Sequence, residues 1–174
     1  MKIRHILSIT LLCISTFIYA QSLSPSTKWH WDKGTIVVDT PARPAGQKSA
    51  LRLTTPKLET VRIGFAGLGS RGPWAVNRYC HIPGVQIVAL CDYEEERARD
   101  AQKFLRNVGL PPADIYSGST GYVEMCKRED IDLIYIVTDW DHHFPIAKCA
   151  LENGKHTAIE VPSAMNLEQC WELI

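Results

Sequence analysis

Val61-Arg62-Ile63-Gly64-Phe65-Ala66 followed by Gly67-Leu68-Gly69-Ser70-Arg71-Gly72 is the stretch on which the reading of this chain turns. A short apolar β run enters a G-x-G-x-x-G turn. Residues 71–80 leave it as a helix, with Pro73 in the first turn, where a missing N–H costs nothing. Each glycine has its own physical task. Gly67 permits the tight turn, Gly69 lets the backbone approach a pyrophosphate, and Gly72 lets helix and strand pack closely. The helix N-terminus supplies N–H donors and the positive end of the dipole to an anion. A plain β–α turn is the alternative.

A second strand, residues 85–91, runs into Asp92, twenty positions past Gly72. An acid there accepts hydrogen bonds from ribose hydroxyls and repels a 2′-phosphate, which favours NAD over NADP. Arg71 pulls the other way by pairing with a phosphate, and a solvated cap on the next helix is the alternative role for Asp92. Strand and helix signals then alternate: a helix over 94–107 with Ala98, Ala101 and Leu105 as its inner stripe and Gly109 as its stop. A minor strand follows at 114–117 and a helix at 120–128. Residues 131–137 (IDLIYIV) form a strand apolar enough to be buried on both faces. A helix over 144–153 closes at Gly154, a strand covers 156–160, and a last helix opens near Asn166. The expected fold is α/β, a Rossmann-type doubly wound parallel sheet. The last helix is still open at Ile174, so the sheet is expected to be C-terminally truncated and the substrate domain absent. The apolar residues Leu167, Trp171 and Ile174 would then lack part of their cover.

Two polar clusters stand at the carboxyl ends of strands, where such folds bind ligands. One is Thr138-Asp139-Trp140-Asp141-His142-His143, the other Glu160-Val161-Pro162. Asp beside paired histidines suggests metal or acid–base chemistry. Adjacent histidines on a helix point apart, however, so joint ligation is not expected. Helix capping by Asp141 is the plain alternative. Cys80, Cys91, Cys126, Cys149 and Cys170 show no zinc spacing and are read as small apolar residues.

Residues 1–20 read as a cleavable secretory signal peptide: Lys2 and Arg4, an apolar run too short for a stable membrane span, then Ala20. Export is the expectation. Cys13 follows Leu12, where a lipoprotein signal needs a small residue. Residues 21–58, with Pro25, Pro41, Pro44 and Pro56, read as an extended arm; Trp29 and Trp31 need a surface, supplied by the domain or by a partner subunit in a homo-oligomer. Residues 59–174 are the nucleotide-binding domain, read as incomplete. With 19 basic and 19 acidic residues the formal charge is zero, so no nucleic-acid partner is expected.

The order G-x-G-x-x-G, strand-end Asp, T-x-W-x-x-H and G-K-H-x-x-x-E-x-P resembles the glucose–fructose oxidoreductase and inositol dehydrogenase superfamily (Gfo/Idh/MocA). That superfamily usually has Glu-Lys-Pro where this chain has Glu160-Val161-Pro162. The E-V-P variant, the Trp140 stretch and Gly46-Gln47 are similar to glycoside hydrolase family 109, over roughly residues 44–174. Asp139 and His142 depart from the family's usual Pro and aromatic residue. The resemblance implies a tightly held NAD and small-molecule α-N-acetylgalactosaminide substrates. Transient oxidation of the 3-hydroxyl would acidify the C2 proton, elimination would expel the glycosidic oxygen, and water addition with re-reduction would complete hydrolysis. It places cofactor contacts on Ser70 and Arg71 beside Gly67, Gly69 and Gly72, on Asp92, on Trp140, Asp141, His142 and His143, and on Glu160 and Val161. The catalytic set stays open, with His143 the one candidate on this chain. An ordinary sugar or cyclitol dehydrogenase and a non-catalytic nucleotide-binding fragment are the alternatives.

Overall fold

The structure, a computed structural model, describes residues 29–38, 45–46 and 54–174. The leader at residues 1–20, Cys13 included, lies outside the described residues. Among those described, no helix is long and apolar enough to cross a membrane. Contacts divide the chain after Ala45 into two compact units.

The first unit holds a hairpin where the sequence suggests only an extended arm. Strands β1 (Trp29–Asp32) and β2 (Thr35–Val38) pair antiparallel. Lys33 and Gly34 join them with φ of 47° and 83°, the left-handed pair that a two-residue turn needs to follow strand twist. Trp29 stands opposite Val38 and Trp31 opposite Ile36, so all four side chains share one face. That face is exposed.

The second unit runs β3 (Val61–Ala66), α1 (Gly72–Tyr79), β4 (Val85–Asp92), α2 (Glu95–Asn107), β5 (Asp114–Ser117), α3 (Gly121–Cys126), β6 (Leu133–Ile136), α4 (Trp140–Glu152), β7 (His156–Ile159) and α5 (Leu167–Glu172). Its strands are all parallel, in the order β5-β4-β3-β6-β7. The chain starts in the middle, winds outward to β5, and returns to β6, so the order reverses between β3 and β6. Period-two alternation sends Ile63 and Phe65 to one face and Ala66 to the other. The first face meets Ala75 and Val76 of α1 and Ala98, Ala101 and Leu105 of α2. The second meets Met125 of α3 and Ile146, Ala147 and Ala150 of α4. The stripe expected on α2 is fully buried, and the doubly wound architecture follows.

Ile63 pairs with Ile87 but Gly64 pairs with Ala89, which leaves Val88 as an extra residue in β4. Its carbonyl accepts a hydrogen bond from Arg128 Nη1 at 3.2 Å. The same guanidinium binds Asp114 at 2.8 Å and Asp130 at 2.6 Å; the hydrogen bond to Asp130, and after it the Tyr116 hydroxyl, push its pKa up. Arg128 therefore joins the bulge, the edge strand β5 and the loop before β6. Arg128→Ala should lower unfolding stability by about 2 kcal/mol, because a backbone carbonyl and two carboxylates lose a charged donor. Urea denaturation measures this; a midpoint unchanged from wild type would contradict it.

Three sequence expectations need correction. Helix α4 starts at Trp140, four residues before the expected 144, because Asp139 caps it and Pro145 sits inside the helix rather than at its start. Helix α3 stops at Cys126, short of the expected 128. The cysteines are not uniformly buried. Cys91 and Cys126 are, and burial pushes the Cys91 thiol up to about 12. Cys170, on α5, is exposed. Leu167 on α5 and Ile174 beyond it are also exposed, while Trp171 is half-buried and Leu173, the residue after the helix, packs on the second core.

Candidate nucleotide-binding cleft

A cleft of about 810 Å³ opens along the carboxyl ends of β4, β3, β6 and β7, at the switch in strand order where open α/β sheets bind ligands. Ten of the twelve expected contact residues line it: Gly67, Gly69, Ser70, Arg71, Asp92, Trp140, His142, His143, Glu160 and Val161. Gly72 and Asp141 do not.

The loop between β3 and α1 shows why its glycines are needed. Gly67 has φ +94°, and a Cβ there would stand 2.6 Å from Thr138 N. A Cβ on Gly72 would overlap the Gly67 carbonyl. Gly72 thus shapes the site by close packing, not by lining it. Among the described residues, the only atom within 4 Å of a Cβ added at Gly69 is Arg97 Nη1, at 3.7 Å. The space over Gly69 is open to the cleft. No side chain caps α1, so its first-turn amides remain available to an anion.

Asp92 is buried, with 7% of its surface exposed. It is neither solvated nor the cap of α2, which is Glu94. One oxygen accepts from Leu68 N at 2.6 Å, the other from Glu94 N at 3.0 Å and Arg97 Nη1 at 3.4 Å. The acid braces the glycine loop against the start of α2. A carboxylate has about four acceptor sites, so capacity remains for a ribose hydroxyl. Arg97 belongs to the cleft too, as do Tyr93, Ser119 and Tyr122. Sequence reasoning missed these four: Arg97 lies on α2, Tyr122 on α3 and the other two in loops, and only strand order brings them to the rim.

At the other end, Asp139 caps α4, accepting from Asp141 N at 3.1 Å and His142 N at 3.3 Å. The capping role belongs to Asp139, not Asp141, which is exposed and does not line the cleft. Burial would raise the Asp139 carboxyl, but the His142 ring and these amides outweigh it and hold it below the usual range. His143 is 1% exposed. Its Nδ1 lies 2.7 Å from the Pro162 carbonyl oxygen and its Nε2 3.2 Å from that of Thr138. Both ring nitrogens face backbone carbonyl oxygens, and a neutral ring, with a single N–H, donates to one of them. Glu160 accepts a hydrogen bond from Tyr135 Oη at 3.0 Å and faces Arg71 at 3.6 Å. Burial, then this contact, raises the Tyr135 hydroxyl. Among the described residues, no group of three or more His, Cys, Asp or Glu is placed to hold a metal ion.

The open space over Gly69, the uncapped helix and the strand-end acid fit a dinucleotide. Comparison with known proteins agrees. Residues 61–174 match the model of an oxidoreductase family described as having an NAD-binding Rossmann fold (GFO/IDH/MocA). Glycosyl hydrolase family 109 protein 3 of Phocaeicola vulgatus is 63% identical across the whole chain, which covers 32% of that protein. A family 109 protein of Porphyromonas gingivalis is 54% identical over 94% of this chain and 35% of its own length. The chain thus spans about a third of the length of the curated relatives it matches. Among solved structures, myo-inositol dehydrogenase from Lactobacillus casei in complex with NAD(H) and myo-inositol has a TM-score of 0.57 and 26% identity, over 66% of this chain and 32% of that one.

Proposed function

Since the chain belongs to this oxidoreductase family with its NAD-binding Rossmann fold, we propose that it forms the cofactor-binding part of an exported, NAD-dependent glycosidase acting on α-N-acetylgalactosaminides. The cofactor is NAD, in keeping with the family. The observation that carries the glycosidase reading is Val161. It is 77% exposed on the cleft, at the position where the superfamily usually has the lysine of its redox chemistry. An aliphatic side chain there holds no proton to exchange with a hydroxyl, which disfavours an ordinary dehydrogenase. The high identity to family 109 proteins points the same way. The apolar signal at residues 1–20 supports export.

Bound in the cleft, NAD supplies a reversible hydride acceptor for a sugar hydroxyl. The chain's own residues bind and orient. The amides of Gly69, Ser70 and Arg71 and the N-terminus of α1 would hold the pyrophosphate, and Asp92 would accept from the adenosine ribose. Trp140, His142, Glu160 and Val161 border the opposite end, and Arg71 offsets the charge of Glu160.

The test is turnover of an aryl α-N-acetylgalactosaminide in D2O by the whole glycosidase of which this chain forms the cofactor-binding part; the chain by itself, without a substrate domain, should show none. Expected is release of the aryl alcohol with deuterium at C2 of the sugar, since elimination removes that proton. Hydrolysis with no exchange would mean a two-carboxylate mechanism and contradict the proposal.

NAD should also bind at least about tenfold more tightly than NADP, a difference of about 1.4 kcal/mol, because Asp92 stands at the ribose end. Asp92→Ala should shrink that ratio toward one. Titration of both dinucleotides measures it, and equal affinities for wild type would contradict the role given to Asp92.

A further inference from the structure

We propose that His143 and Tyr135 are positioning residues for the nicotinamide end of the cofactor, acting through the strand-end segment Glu160-Val161-Pro162. This rests on the reading of the cleft as the NAD site. A dinucleotide with its pyrophosphate at α1 and its adenosine ribose at Asp92 must extend its other half toward the ends of β6 and β7. The segment after β7 is therefore the floor on which that half lies.

That segment leaves the sheet immediately after Glu160, whose N–H still bonds to Ile136 O at 2.9 Å. From there two side chains hold it from opposite directions. Tyr135, on β6, donates its hydroxyl to Glu160 at 3.0 Å. Its ring is locked against Phe65 and Tyr79, with centroids 5.3 and 5.4 Å away, so the donor has little freedom. His143, in the second turn of α4, reaches the Pro162 carbonyl at 2.7 Å. This short contact assigns the ring proton to Nδ1 as donor. The Nε2 side of the same ring abuts the Thr138 carbonyl at 3.2 Å. One buried ring thereby spans the loops that follow β6 and β7. Between the two anchors, Val161 is the exposed residue presented to the cleft. Tyr135 fixes Glu160, which lines the cleft, and His143 fixes Pro162 next to Val161.

The two ends of the ligand can be probed separately. AMP occupies only the Asp92 end, while NAD engages both. In calorimetric titrations of the full chain, Tyr135→Phe and His143→Ala should each weaken NAD by about tenfold, the loss of one buried hydrogen bond, and leave AMP within about twofold. Tyr135→Phe keeps the ring and its packing, so it reports even if His143→Ala does not fold. His143→Asn, whose amide donates from nearly the place of Nδ1, should recover most of the NAD affinity. Equal weakening of NAD and AMP, or NAD binding unchanged in Tyr135→Phe, would overturn the inference and leave the cleft assignment intact. Failure of wild type to bind either nucleotide would overturn the cleft assignment and this inference together.

Discussion

Gly72→Val should not yield a stable native domain. A Cβ at this position overlaps the Gly67 carbonyl oxygen and lies 2.9 Å from its carbon, where real Cβ contacts essentially never fall below 3.0 Å. Neither atom can give way. Gly67 is itself fixed against Thr138 and Val137, and its amide bonds to Cys91 O at 2.9 Å. Relief would require α1 to lift from the sheet, exposing Ala75 and Val76, which are now at 1% and 0%. The cost should be about 4 kcal/mol or more, at the upper end of single-substitution effects. That is a large share of the 5–15 kcal/mol that holds a typical domain together. Thermal melting should shift down by roughly 10 °C, or lose its cooperative transition. A melting curve within two or three degrees of wild type (roughly 1 kcal/mol) would show that the loop can relax in a way the geometry does not suggest.

The parts legible in the sequence are those where a local pattern and the tertiary outcome coincide. The run Val61–Ala66 and the glycines behind it are such a case, since strand, turn and helix start are all set within a dozen residues. The inner stripe of α2 is another, because Ala98, Ala101 and Leu105 fall at helical spacing and are buried as that spacing implies. The start of α4 was not legible in the same way. In the structure Asp139 captures the amides of Asp141 and His142, and this cap outweighs the single bond that Pro145 cannot donate. Asp139 precedes an apolar-periodic run and carries the usual cap signal, which marks this start. The turn at Lys33-Gly34 is a second missed signal, a glycine between two β-rich runs of four residues. Arg97 and Tyr122 could not be found from sequence. Each looks like an ordinary helix residue until parallel strand order brings the ends of β4 and β5, which precede them, to one cleft.

The same geometry separates folding from binding within a single motif. Gly69→Val should leave the domain folded and abolish NAD binding. The backbone at Gly69 does not have the positive φ that penalises a side chain, and an added Cβ meets nothing closer than Arg97 Nη1 at 3.7 Å. Replacing glycine in such a conformation costs the protein little and can even stabilise it, because the unfolded chain loses freedom. Unfolding stability should therefore stay within about 1 kcal/mol of wild type. The valine, however, fills the space through which a pyrophosphate must approach the amides at the start of α1. Withdrawing a phosphate by even one methyl diameter breaks hydrogen bonds whose acceptors are charged, each worth roughly 1.5–3 kcal/mol. Loss of two would weaken NAD by more than about a hundredfold. Paired measurements decide the matter: urea unfolding for the fold and NAD titration for the site. A folded Gly69→Val protein that binds NAD as wild type does would mean that the loop is only a turn, and that the cofactor lies elsewhere.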